Sequence, residues 1–130
     1  MAQRYGLEIE CFGLEVAEIE AAINTVNGLN YGGHFGYHGS RVLGLRCSEN
    51  GNGNLWVSER DSSLTNTAGR GMCHEVISPV MEGEEGLRIA GQVMTALARA
   101  GAEVNKSCGL HTTFGIANSS ARFRRMSKKK

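Results

Sequence analysis

Residues 5–12 (YGLEIECF) switch between apolar and polar with a period of two. On an extended chain Tyr5, Leu7, Ile9 and Cys11 fall to one side and Glu8 and Glu10 to the other, the pattern of a strand with one face against a core. From residue 14 the spacing changes. Val16, Ile19, Ile23 and Val26 form a helical stripe over 14–26, with Glu15, Glu18 and Glu20 off it. The acids suit the start of a helix and Gly28 its stop. A period-two segment followed at once by a helical one calls for a sheet with a helix laid on its apolar face.

The remaining segments extend that scheme. Residues 28–39 (GLNYGGHFGYHG) hold five of the chain's 18 glycines among Tyr31, Phe35 and Tyr37. This density predicts a loop, because glycine is costly inside helix or strand. Strands are expected at 41–47 and 54–59 with ENGNG as the turn between them, and a polar loop at 60–71. A short strand is expected at 74–79 (HEVISP), closed by the sole proline, Pro79. The clearest helix covers 84–100. Glu84 and Glu85 open it, Leu87, Ala90, Val93, Met94 and Leu97 make its apolar face, and Arg99 with Gly101 closes it. A last strand spans 109–116 (GLHTTFGI). The fold class that follows is α+β, a mostly antiparallel sheet with helices packed on one face.

Length and charge bound the partners. A chain of 130 residues sets one domain and can bury a real core. All six charges in residues 121–130 are basic (Arg122, Arg124, Arg125, Lys128, Lys129 and Lys130), which leaves 8 basic against 13 acidic residues in 1–120. The expected organisation is a mildly acidic domain over 1–120 with a basic tail at 121–130. Such a tail is either a solvated end or a contact for nucleic acid or an acidic protein surface. No run of about 18 apolar residues argues for a membrane span. The start MAQRYGLEIE lacks the pattern of a secretory leader. Cys11, Cys47, Cys73 and Cys108 form no CxxC pair, so the expectation is reduced thiols in a cytoplasmic protein.

The residues able to do chemistry sit on strands. Glu8 and Glu10 share one face with Cα atoms about 6.6 Å apart. Facing solvent they would be hydrated; facing a cleft they would make a hard-oxygen site suited to Mg²⁺. Glu75 lies on a strand, on the face opposite His74, and His111 lies on another. His34 and His38 are too few ligands for zinc in a glycine-rich loop.

Taken in order, GLEIE (6–10), YH (37–38), LWVSERDSS (55–63), HEVISPVMEGEEGL (74–87) and GAEVNKSCGLHTT (101–113) resemble the amidoligase family over most of residues 5–117. That family is one of carboxylate–amine ligases related to glutamine synthetase and glutamate–cysteine ligase. The resemblance implies an ATP- and Mg²⁺-dependent enzyme that forms amide bonds through an acyl-phosphate, on an antiparallel sheet with helices on one face and the active site on the other. It also implies roles. Glu8, Glu10 and Glu75 become metal-binding acids, Glu75 and His111 catalytic residues, and Asp61 and Ser63, after the strand with Trp56, the "D-x-S" of the cofactor site. The chain departs from the family in carrying Thr113 at the second histidine of "G-L-H-V-H", and in ending soon after that strand where family members run on.

Two classes of function are therefore expected. One is a truncated amidoligase-like enzyme with Mg²⁺ and ATP as cofactors and a small-molecule acid and amine as substrates, completing its site as a homodimer or alone. The alternative is a non-catalytic protein without cofactors, built on the same half-fold. That would be a phage-type, anti-CRISPR-like inhibitor of a host protein or nucleoprotein complex, with the basic tail as its contact. The exposed sheet edge expected of so short a sheet would serve pairing in either case.

Overall fold

A computed structural model describes residues 3–35 and 55–114. The order is β1 (Arg4–Leu14), α1 (Val16–Asn24), β2 (Asn30–Phe35), β3 (Leu55–Arg60), β4 (Met72–Ile77), β5 (Met81–Glu82), α2 (Gly83–Ala100) and β6 (Leu110–Phe114). The expected strand at 41–47, its turn, the later part of the glycine-rich segment, Cys47 and the basic tail lie outside the described residues.

All six strands join one sheet. Tyr5 is paired with Met81 on β5 and with Phe114 on β6, so β1 runs between them. Beyond Tyr5 it continues antiparallel to β4, which in turn pairs antiparallel with β3. Among the described residues, the one parallel join is β2 with β3. The sheet is mixed and mostly antiparallel, and the α+β class holds.

The odd-numbered residues of β1 meet both helices. Tyr5, Leu7, Ile9 and Cys11 pack in one core with Ile19, Ala22 and Ile23 of α1, Ala90, Val93 and Leu97 of α2, and Trp56 and Val76 from β3 and β4. Gly13, at φ 98°, forms a β-bulge. The extra residue shifts the alternation by one, which is why Leu14, an even position, also enters this core. Glu15 caps α1 in a reciprocal capping box with Glu18, and Gly101 ends α2 in the left-handed conformation at φ 115°.

Two expectations need correction. Residues 30–35 form a strand rather than a loop, because a register shift between Tyr31 and Gly33 absorbs the glycines. Gly32 approaches β3 so closely that a Cβ would sit 3.1 Å from the side chains of Leu55 and Val57. The same shift turns Tyr31 and His34 toward one residue of β3, Ser58, whose hydroxyl is 2.6 Å from Tyr31 Oη and 2.8 Å from His34 Nδ1. Secondly, the buried stripe of α2 is narrower than expected. It holds Gly86, Ala90, Val93 and Leu97, while Leu87 is 60% exposed and Met94 also lies outside it.

Candidate functional site

The other face of the sheet is built from the even positions of β1. Strand register brings Glu8 opposite His111 of β6, and Glu10 opposite Glu75 of β4. Glu75 is in turn opposite Glu59 of β3. Directly paired residues in a sheet point to the same side, so four glutamates and a histidine share the face opposite α1 and α2. Asp61, just past the end of β3, is held there by its N–H, which donates to the Cys73 carbonyl at 3.1 Å.

This face is not a hydrated surface. Glu8, Glu10 and Glu75 are 3%, 6% and 4% exposed, and Glu59 is fully buried. Of the two settings open to Glu8 and Glu10 from their spacing, the solvent face is thereby excluded. Carboxylates out of water repel one another and lose hydration, so the cheapest response is to keep a proton. Burial first, then the charge of Glu8, a hydrogen bond with its carboxyl, and the charges of Glu59 and Asp61 push the Glu75 carboxyl up to about 9. His111 Nδ1 stands 3.6 Å from Glu8 Oε1 and 3.9 Å from Glu10 Oε2. A Cβ on Gly109 would lie 3.2 Å from His111 Nε2 and 3.6 Å from Glu10 Oε1, so a larger residue there would crowd both groups.

Two ligand sets emerge from this packing. One ligand atom from each of Glu8, Glu75 and His111 lies within 4.8 Å of the others, and the same is true of Glu10, Asp61 and Glu75. Glu75 belongs to both. The donors are carboxylate oxygens and one imidazole, which fits a hard divalent cation such as Mg²⁺ or Mn²⁺.

Of the residues singled out from the sequence, Glu8, Glu10, Glu75, Asp61 and His111 are brought together. Ser63 is exposed and its N–H and hydroxyl both donate to Asp61 Oδ1, so it orients that carboxylate rather than joining the ligand sets. The six basic residues from Arg122 to Lys130 lie outside the described residues. Glu59 was missed, although Val57, Glu59 and Asp61 continue an alternation legible in the chain. Among the described residues, no cysteine belongs to either ligand set. Cys11, Cys73 and Cys108 form no disulfide, and burial chiefly, with nearby Cys108 and Cys73, pushes the Cys11 thiol up to about 12.

The opposite face carries a separate buried network around Ser58. His34 and His74 stack edge to face with centroids 5.4 Å apart, and His74 Nε2 lies 2.6 Å from the Leu14 carbonyl oxygen. Burial chiefly holds both imidazoles below their ordinary pKa. Among the described residues, no helix is long and apolar enough to cross a membrane.

A family model described as "Putative amidoligase enzyme" matches residues 1–128. No curated protein and no solved structure matches the chain.

Proposed function

The chain belongs to the amidoligase family, and on that premise we propose that it joins a carboxylic acid to an amine at the acidic face, with ATP as co-substrate and Mg²⁺ or Mn²⁺ as cofactor. The observation that carries this reading is the pair of ligand sets sharing Glu75 on the side of the sheet opposite α1 and α2. Glu8, Glu75 and His111 would hold one cation and Glu10, Asp61 and Glu75 a second. When bound, such ions neutralise the oxygens of a transferring phosphoryl group and orient the attacking carboxylate.

The chain's own groups do the rest. Strand pairing holds Glu8, Glu10 and Glu75 on rigid elements, so their carboxyls need little reorganisation when a cation arrives. Glu75 must give up its proton at that moment, which couples cation binding to pH. Ser63 fixes Asp61, and the missing side chain at Gly109 leaves the room that Glu10 and His111 occupy.

Titration calorimetry of Mg·ATP into the protein beside Glu10→Gln tests the reading. Saturable binding that the substitution removes is the expected result. No heat at millimolar Mg·ATP, or equal heat from both proteins, overturns it.

A further inference from the structure

Asp61 and His111 are the two ligand candidates that do not come from the paired strands β1 and β4. Asp61 opens the 61–71 loop, and His111 lies two residues beyond the 101–109 loop. The two loops are tied by a closed ring of hydrogen bonds. The Thr65 N–H donates to Ser107 Oγ at 3.0 Å, the Ser107 hydroxyl donates to Asn105 Oδ1 at 2.6 Å, and Asn105 Nδ2 donates back to the Thr65 carbonyl at 2.9 Å. Both ends of the Asn105 amide are used. Its oxygen also accepts the Ser107 N–H at 2.9 Å, and its Nδ2 reaches Thr67 Oγ1 at 3.3 Å. The ring therefore reads both backbone groups of Thr65, a discrimination that an apolar contact would not provide.

Each side of the ring leads to the acidic face within a few residues. From Ser107 the chain passes through Cys108, whose N–H donates to the Asn105 carbonyl, to Gly109, whose carbonyl accepts the Glu10 N–H at 3.0 Å. From Thr65 it runs back through Leu64, whose N–H donates to the Asp61 carbonyl at 3.3 Å. The two flanks differ in how else they are held. His111 is fixed by five paired positions between β6 and β1. Asp61 stands one residue past the last paired residue of β3, held to β4 by a single backbone bond from its N–H to the Cys73 carbonyl.

From this asymmetry we infer that Asn105 is a positioning residue for Asp61: the amide tie holds the 61–71 loop so that Asp61 completes the ligand set with Glu10 and Glu75, while the set with His111 does not depend on it. The inference rests on the reading of the face as a divalent-cation site. Partners that orient a ligand in this way are typically worth 10–100-fold in metal affinity.

The test uses Mn²⁺ alone, followed by calorimetry and by paramagnetic resonance of the bound ion. Wild type should bind two Mn²⁺. Asn105→Ala and the milder Ser107→Ala should weaken one of the two by 10–100-fold and leave the other unchanged. The double variant Asn105→Ala/Asp61→Asn should bind no more weakly than Asp61→Asn alone, since a residue that acts through Asp61 has nothing left to act on. A purely structural tie would instead add its effect to that of Asp61→Asn, and that result overturns the inference. So does unchanged binding of both ions by Asn105→Ala when hydrogen exchange shows the two loops released. Wild type that takes up no Mn²⁺ removes the cation reading itself, and the positioning role with it.

Discussion

Replacing Glu75 by glutamine should stabilise the metal-free protein, although it removes a residue from the centre of the candidate site. The carboxyl is held at about 9 in the folded chain against an ordinary 4.5. A group whose folded pKa is raised contributes fully to stability below its unfolded value and loses that contribution as pH rises toward the folded one. At pH 7 the folded state has given up roughly 2.5 pH units of that interval, and at 1.36 kcal/mol per unit this is about 3 kcal/mol. A hydrogen bond joins the Glu75 and Glu8 carboxyls, so the cost belongs to the pair, and Glu75→Gln relieves it by imitating the protonated form. For a chain of this size the gain corresponds to a rise in Tm on the order of 10 °C. The assay is thermal unfolding of both proteins in EDTA from pH 4.5 to pH 8. The variant should lead increasingly above pH 5, with the difference vanishing near pH 4.5. His34 and His74, held low by burial, make both proteins less stable as pH falls below about 6.5, and they cancel in the difference. With millimolar Mg²⁺ or Mn²⁺ the order should reverse, because only wild type gains a ligand. A variant less stable than wild type at pH 8 in EDTA, or a difference that does not change with pH, refutes the argument.

Two further outcomes follow from the packing. A Cβ at Gly71, where φ is +67°, would lie 2.3 Å from the carbonyl carbon of Gly13 and 2.5 Å from Leu14 N; Gly71→Ala should therefore cost at least about 2 kcal/mol in urea unfolding, through strain at both the dihedral and the bulge. Leu97→Ala, at a position 2% exposed, should cost about 2–5 kcal/mol, whereas Leu87→Ala, at 60% exposed, should stay within about 0.5 kcal/mol of wild type. Equal losses at the two leucines would mean that the narrow buried stripe of α2 is wrong.

Local signals account for the parts of this fold that a reader of the chain can find. The alternation of residues 5–12 and the helical stripes of 16–26 and 84–100 each report a surface that a single element presents. Gly101 reports a backbone conformation that few other residues accept. Pairing between distant strands leaves no such trace. Asn30–Phe35 reads as loop by composition and becomes strand only because β3 lies beside it and a register shift takes up the glycines. The two-residue β5 exists through its pairing with Arg4 and Tyr5. The width of the α2 stripe is set by what α1 and the sheet cover, and the chain itself does not distinguish Leu87 from Ala90. The candidate site shows the same division. Individual acids are visible on their strands, but the row Glu10–Glu75–Glu59 depends on register across three strands, and register is settled by tertiary pairing.

The two faces of the sheet carry opposite energetic burdens, and each explains the other. On the helix side the buried residues of β1 are almost all apolar and meet two helices, and the polar groups there are bonded, Tyr31 and His34 to Ser58 and His74 to the Leu14 carbonyl. On the acidic side, the same strands hold Glu8, Glu10, Glu59 and Glu75 away from water, an arrangement that metal-free protein tolerates by retaining a proton on Glu75. A surface optimised for stability alone would exchange at least one of these acids for a neutral residue of similar shape, since removing like charges from a buried row lowers the free energy of the folded state. Keeping all four is intelligible if positive charge arrives to use them. The register makes that arrival selective. Glu75 is the residue with neighbours on both sides, Glu10 on β1 and Glu59 on β3, so its proton is the one that a cation must displace, and the pH dependence of binding should vanish in Glu75→Gln while persisting in Asp61→Asn.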